Sequence, residues 1–392
     1  MQPSVLVRSI NEPATLQMAR RCRELRAQGR DIIDLSLGQP DHAPPAYALQ
    51  AAREALDGPW HGYTPVNGYL DVREAISRKF SRDNGLDYTP EQIVISTGAK
   101  QSLINVILSM VGPGDEVIIP APYWVTYTAQ VAISGATPVV VPSTIEDEWK
   151  PSVERIAAAI TPRTRLILYS SPCNPSGSVM DRNELQALAD VVLKHKDLYV
   201  MSDEIYEHIV FKGGHISIGS LPGMQERTIT VNGLSKAFAL TGWRVGYIGA
   251  PLWVAQAANT VQGQFTSGTN SIAQRVTKAC VEADPTTLDG VRADLLRRKE
   301  LILNGIRKVP GWKCNDPEGA FYLLPDVSAS IDGKRIKDAS DLSTYLLEEA
   351  GVSAVAGDPF GAPNTLRLSY ATSDDLLTEA ADRITKAIAA LG

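Results

Sequence analysis

The chain has 392 residues, a formal net charge of −6, 44% apolar residues and 21% charged residues. That balance excludes disorder as the main state and leaves no chain-wide excess of Lys and Arg for a nucleic-acid backbone. The length suffices for a large core and predicts more than one domain.

In chain order, apolar runs predict strands at 93–96, 116–120, 137–141, 166–170, 198–202, 228–232 and 245–249. Amphipathic stretches at 100–110 and 183–194 predict intervening helices. Short apolar strands spaced by helices indicate an α/β fold with a mainly parallel sheet covered on both faces. Beyond it come a long charged helix at 291–309, a strand at 320–324, a helix at 341–350, a strand at 365–369 and a terminal helix at 373–391. Three segments are expected: 1–44, packing with the last one; 45–290, a large α/β domain; and 291–392, a smaller α+β domain.

Cys22, Cys173, Cys280 and Cys314 are scattered, and the five His show no zinc spacing. No metal site or disulfide scaffold is expected, and a reduced cytoplasmic compartment is. Residues 1–14 lack the apolar run of a signal peptide. The uncharged stretches 117–145 and 245–274 are rich in Gly, Pro, Gln and Thr and predict buried strands and loops, not membrane spans.

Ligands of open α/β sheets bind beyond the carboxyl ends of the strands. Three strands are followed there by Ser171-Pro-Cys-Asn-Pro-Ser-Gly177, Asp203-Glu-Ile-Tyr206 and Gly233-Leu-Ser-Lys236. Asn174, Asp203, Tyr206 and Lys236 should therefore converge. A lysine beside a carboxylate and a phenol suits an aldehyde cofactor held as a Schiff base. Pyridoxal phosphate needs a carboxylate at its ring nitrogen, for which Asp203 is the candidate. Its phenolic oxygen needs donors, for which Asn174 and Tyr206 suit. Its phosphate needs a helix start and a cation, which Ser96-Thr-Gly-Ala-Lys100 and Arg244 supply.

Several collinear motifs now resemble the class I/II aminotransferases of pyridoxal-phosphate fold type I. They are residues 171–177, the run Ser235-Lys-Ala-Phe-Ala-Leu-Thr-Gly-Trp-Arg-Val-Gly-Tyr247, Ala320-Phe-Tyr322 and Arg367-Leu-Ser-Tyr-Ala-Thr-Ser373. The resemblance implies a mainly parallel seven-stranded sheet with helices on both faces. It also implies a homodimer with active sites at the subunit interface. By the same likeness, Lys236 is the Schiff-base lysine and proton carrier. Asp203 pairs the ring nitrogen, and Asn174 and Tyr206 bind the phenolic oxygen. Trp124 stacks on the ring. Gly98, Ala99, Lys100, Ser235 and Arg244 surround the phosphate, and Tyr63 reaches the partner's cofactor. Arg367, Gly38 and Asn174 face the substrate carboxylate. One departure is Gly233, where many members carry Ser or Thr as a phosphate ligand; Ser235 is the candidate replacement.

Gly98-Ala-Lys-Gln101 resembles the bacterial aspartate aminotransferase subgroup Iβ. That implies Lys100 reads a side-chain carboxylate and that the reaction is L-aspartate plus 2-oxoglutarate giving oxaloacetate plus L-glutamate. The alternative is a prephenate/glutamate or broader-specificity amino acid aminotransferase, with prephenate weakened because Asn11 stands where such members carry Lys. A lyase or decarboxylase on the same scaffold is the further rival.

Overall fold

The computed structural model describes residues 2–8 and 10–391. Met1, Ser9 and Gly392 belong to the first and last expected segments and lie outside the described residues. Among the described residues, twelve strands are numbered in chain order. The first is β1, Ile33–Asp34. Seven more are β2, Ile93–Ser96; β3, Glu116–Pro120; β4, Thr137–Val141; β5, Thr164–Ser170; β6, Tyr199–Asp203; β7, Thr228–Gly233; and β8, Gly246–Gly249. The last are β9, Tyr322–Leu323; β10, Val352–Ser353; β11, Val355–Ala356; and β12, Leu366–Ser369.

Strands β2 to β8 form one seven-stranded sheet in the order β2-β8-β7-β6-β5-β3-β4. Only β8 runs against its neighbours, β2 and β7. The carboxyl ends of the other six therefore share one edge. Alternation along each strand sends side chains to both faces. Val117, Ile119, Leu166 and Leu168 pack with the helices Ala99–Met110, Thr126–Ser134 and Leu252–Phe265. Ile118 and Ile167 pack on the other face with Leu185 and Leu188 of the helix Arg182–Val192. That helix starts at Asp181, whose side chain accepts hydrogen bonds from Asn183 N and Glu184 N. Among the described residues, no helix is long and apolar enough to cross a membrane.

A second, antiparallel sheet has the order β11-β12-β9. The helix Asp289–Ile306 lies against the helix Asp374–Ala389 nearby. β1 pairs in parallel with β10, setting Ile33 opposite Val352 and Asp34 opposite Ser353. This pairing joins the chain before residue 44 to the C-terminal region.

The strand expected at 320–324 is shorter than the apolar run. Ala320 has φ 57°, and its N–H donates to Ile209 O instead of a ladder partner. Leu324 O accepts from the Trp149 indole at 3.1 Å. Only Tyr322 and Leu323 remain in register with β12. The helix expected at 341–350 is Ala339–Tyr345, succeeded by a wider turn at Leu346–Ala350.

A buried ionic cluster sits behind the turn after β6. Lys79 Nζ pairs with Glu207 and donates to Asn84 Oδ1 at 2.7 Å. Glu204 accepts from His215 Nε2 and Ser217 Oγ, both at 2.8 Å. Burial alone would raise Glu207, but Lys79, His208 and His215 hold it well below the usual carboxylate range. Glu204, Glu207 and His215 bring ligand atoms within 4.8 Å of one another, yet Lys79 already provides the cation at this spot. Removing one partner of a buried ion pair leaves an uncompensated charge. Lys79→Met should therefore cost about 3–5 kcal/mol, read from urea unfolding. A loss below about 1 kcal/mol, the size expected of a surface pair, would show that the cluster is solvated.

Candidate active site

The co-directional strand ends open onto one cleft of about 320 Å³. β6 delivers Asp203 and then Tyr206, and β5 ends at Ser170, four residues before Asn174. β7 ends at Gly233, three residues before Lys236. β2 ends at Ser96 and turns through Gly98 into the helix Ala99–Met110. Gly38, Ala99, Lys100, Trp124, Asn174, Asp203, Tyr206, Ser235, Lys236, Arg244 and Arg367 all line the cleft.

Lys236 Nζ donates to Gly38 O at 2.7 Å. Burial, together with Arg367, Arg244 and Lys100, lowers its pKa to about 8, although Asp203 pulls the other way. Asp203 accepts from Tyr127 Oη at 2.7 Å and from Ile205 N at 3.3 Å. Burial pushes its pKa up to about 6 despite those two donors. Each group thus titrates nearer neutrality than in water, because desolvation penalises the charged form of both.

Arg367 is buried on β12, the central strand of the second sheet. Its Nη1 donates to Asn174 Oδ1 at 3.0 Å and its Nη2 to Ser36 O. Its Nε is buried with no hydrogen-bond partner among the described residues. The guanidinium carbon lies 4.7 Å from the Tyr322 ring centre. Tyr206 Oη and Tyr322 Oη are 2.8 Å apart. Lys100 Nζ lies 4.8 Å over the Trp124 ring and keeps solvent access at the cleft mouth. Desolvation by surrounding protein, then Arg244, lowers its pKa.

Two glycines shape the helix start. Gly98 has φ +86°, and a Cβ there would lie 2.4 Å from Arg244 Nη2. A Cβ on Gly246 would lie 2.1 Å from Ala99 N. The departure at Gly233 has a steric reason: a Cβ there would lie 2.7 Å from Val245 O, so a hydroxyl-bearing side chain does not fit this backbone. Tyr63 is not brought to the cleft; it is fully exposed on this chain. Asn174 and Tyr206 line the cleft, but their polar ends bond Arg367 and Tyr322.

Two residues of the site are not assigned a role from the sequence. Tyr127 lies three residues after Trp124, one helical turn on, inside an uncharged stretch that signals only burial. Tyr322 stands in the Ala320-Phe-Tyr322 motif, but its role depends on a long-range meeting with Tyr206.

The cleft suits a phosphorylated aldehyde. Its lining residues include four cations (Lys100, Lys236, Arg244 and Arg367) and one carboxylate, Asp203. Among the described residues, none of the four cations pairs with a carboxylate within 4.0 Å. Arg244 presses on Gly98, at the positive end of the helix Ala99–Met110. Like charges gathered at a helix N-terminus call for an anion between them. Lys236 would supply the amine for such an aldehyde and Asp203 the buried acid.

The family described as "Aminotransferase class I and II" matches residues 30–384. An aspartate/prephenate aminotransferase of Cereibacter sphaeroides is 42% identical over 377 residues, 94% of each chain. A solved aspartate aminotransferase of Thermus thermophilus with maleate superimposes with TM-score 0.94 at 39% identity, covering 99% of this chain and 100% of that one. One from Rhizobium meliloti gives TM-score 0.95 at 38% identity, covering 99% of each. The chain belongs to the class I and II aminotransferases. It is an aminotransferase with pyridoxal phosphate as its cofactor.

The raised Asp203 pKa has a consequence for the cofactor-free protein. Between about pH 4 and pH 6 the folded state keeps a proton that the unfolded state releases, so stability falls as pH rises through that window. Asp203→Asn should remove this penalty, on the order of 2–3 kcal/mol. The cofactor-free variant should therefore melt higher than its parent at pH 7, with the gap closing toward pH 4. A lower melting temperature at pH 7 would show that the ionised carboxylate is fully satisfied.

Proposed function

We propose that this chain moves the amino group of L-aspartate to 2-oxoglutarate, giving oxaloacetate and L-glutamate. The observation that carries the acidic-substrate reading is Lys100. Its ammonium sits on Trp124 at the mouth of a cleft that already holds a second, deeper carboxylate-type receptor, Arg367. Two separated cations, one rigid fork and one point charge, suit a dicarboxylic amino acid. The names carried by the Thermus thermophilus and Cereibacter sphaeroides relatives support the same substrate.

Each residue then has a task. Asp203 and Lys236 would hold the ring end of the cofactor, and Gly98, Ala99, Ser235 and Arg244 its phosphate. Bound pyridoxal phosphate supplies an electron sink for negative charge at the substrate Cα. Arg367 and the Gly38 backbone orient the substrate α-carboxylate, and Trp124 bounds the face above. Lys236 Nζ, freed from its bond to Gly38 O, takes the proton from Cα and returns it on the other side of the transfer. A pKa near 8 leaves an appreciable neutral fraction for that task at physiological pH. Tyr127 Oη donates to Asp203 and favours its ionised form against burial.

The proposed catalytic unit is a homodimer in which Tyr63 reaches the partner's cofactor phosphate. Full exposure of Tyr63 on the isolated chain supports this. The loop is also anchored, since Ser271 Oγ bonds Trp60 O. A cytoplasmic setting and the division at residues 44/45 and 290/291 belong to the same proposal. Prephenate as acceptor is the second reading, supported by the name of the Cereibacter sphaeroides relative. Asn11 is not among the cleft-lining residues.

Purified enzyme given aspartate and 2-oxoglutarate should form glutamate. Alanine or pyruvate without glutamate would replace this reading by a decarboxylase or lyase. An amino-transfer assay with prephenate in place of 2-oxoglutarate measures the second reading. Lys100→Ala should lower kcat/KM for aspartate about 10- to 100-fold, the loss of one charge-assisted hydrogen bond, and spare an apolar amino acid. Equal losses on both would remove Lys100 from substrate choice.

A further inference from the structure

Arg367 is held on one side by a short stretch that makes no ion pair with it. That stretch, residues 34–38, runs from β1 past the cleft. At its far end Gly38 O receives Lys236 Nζ, and in its middle Ser36 O receives Arg367 Nη2. One short segment therefore touches both the amine and the guanidinium of the site.

The near end of the segment is fastened by one carboxylate oxygen. Asp34 Oδ1 accepts from Ser36 N at 2.9 Å, Ser36 Oγ at 2.6 Å and Ser353 Oγ at 2.7 Å. Ser353 Oγ in turn accepts from Leu35 N at 3.2 Å. Ser36 and Ser353 are fully buried. Leu35 O accepts from Ser369 N at 2.8 Å, on β12, the strand that carries Arg367. Two of the three donors belong to Ser36: they fix the Leu35–Ser36 peptide plane and the Ser36 side chain, and so hold the Cα from which the Ser36 carbonyl leaves on the next peptide plane. That carbonyl and Asn174 Oδ1 are the two acceptors that hold the Arg367 guanidinium among the described residues. Asp34 itself is not among the residues that line the cleft.

We propose that Asp34 is a positioning residue for the substrate carboxylate, acting through Ser36 and Ser353 to hold the Ser36 carbonyl against Arg367. This rests on the reading of Arg367 as the receptor of that carboxylate. A planar fork binds a carboxylate well only in one orientation, so a freed Ser36 carbonyl lets the fork rotate. The loss falls on binding of every carboxylate substrate and leaves proton transfer by Lys236 in place. Asp34→Asn keeps an oxygen at the same position and restores the three acceptor bonds.

The test uses the pyridoxal-phosphate-loaded enzyme and calorimetric titration with maleate, a dicarboxylate that undergoes no transfer. Asp34→Ala should weaken maleate about tenfold and raise KM for aspartate and for 2-oxoglutarate by a similar factor, with kcat changed less than about threefold. Asp34→Asn should stay within about threefold of the parent throughout. Ser353→Ala removes one donor to Asp34 and the acceptor of Leu35 N but keeps the carboxylate, and it covers the case in which Asp34→Ala does not fold; it should weaken maleate about threefold. Combined with Arg367→Lys, its effect should shrink, since both act on one contact. Lower melting temperature with unchanged maleate affinity in Asp34→Ala or Ser353→Ala would overturn the proposal. So would an Asn variant as impaired as the Ala variant. Maleate affinity unchanged in Arg367→Lys alone would instead strike down the receptor reading beneath it.

Discussion

Unpaired positive charge at the carboxyl edge of one sheet is the constraint on which the rest depends. Four cations line a cleft that contains one carboxylate, and among the described residues none of the four forms an ion pair. Such a gathering is unfavourable in isolation, because the cations meet their like and the deeper ones, Lys236 and Arg367, also lose water. It becomes favourable when anions enter. A phosphorylated cofactor and a dicarboxylic substrate bring the missing negative charge. The same field explains the perturbed titrations. Lys236 is pulled down by burial and by its cationic neighbours, whereas Asp203 is pushed up by burial against its hydrogen-bond donors.

The fold makes that gathering possible by aligning strand ends. Six of seven strands run the same way, so the loops that leave them arrive together. β8 is the exception, and its first residue, Gly246, allows the helix start at Ala99 to come close. The Lys79–Glu207 cluster stiffens the turn after Asp203 from behind. The second sheet contributes Arg367 from β12 and Tyr322 from β9. Residues 33–38 tie the two sheets together: Leu35 O and Ser36 O accept from Ser369 and Arg367 of β12 on one side, and Gly38 O accepts from Lys236, beyond β7, on the other.

Membership of the class I and II aminotransferases implies that one cleft serves both an amino acid and a 2-oxo acid. Such economy needs receptors indifferent to the chemistry at Cα. In the proposed reading Arg367 has that character, because it would face the group common to both acids. Lys100 differs in kind. It rests on an aromatic ring near solvent, and a flexible point charge there tolerates side chains of unequal length. A pocket of this type discriminates less sharply than a buried bidentate site.

Chain order alone carried the strands, their mostly parallel pairing and the convergence of Asn174, Asp203, Tyr206 and Lys236. These are local facts: apolar runs set strands, and short loops hold the next few residues at the strand ends. The shortened strand at Tyr322–Leu323 was not legible, since an apolar run does not reveal that Ala320 turns to a positive φ and leaves the ladder. Tyr127 was hidden because a buried phenol in an uncharged helix looks like core until its partner, 76 residues away, is known. The bond of Ser36 to Arg367 spans 331 residues and passes through a backbone carbonyl, which every residue possesses. Sequence thus determined which chemical groups the protein owns and roughly where each strand presents them. Tertiary structure decided which of them touch, because hydrogen bonds between distant segments depend on packing geometry that no local pattern encodes.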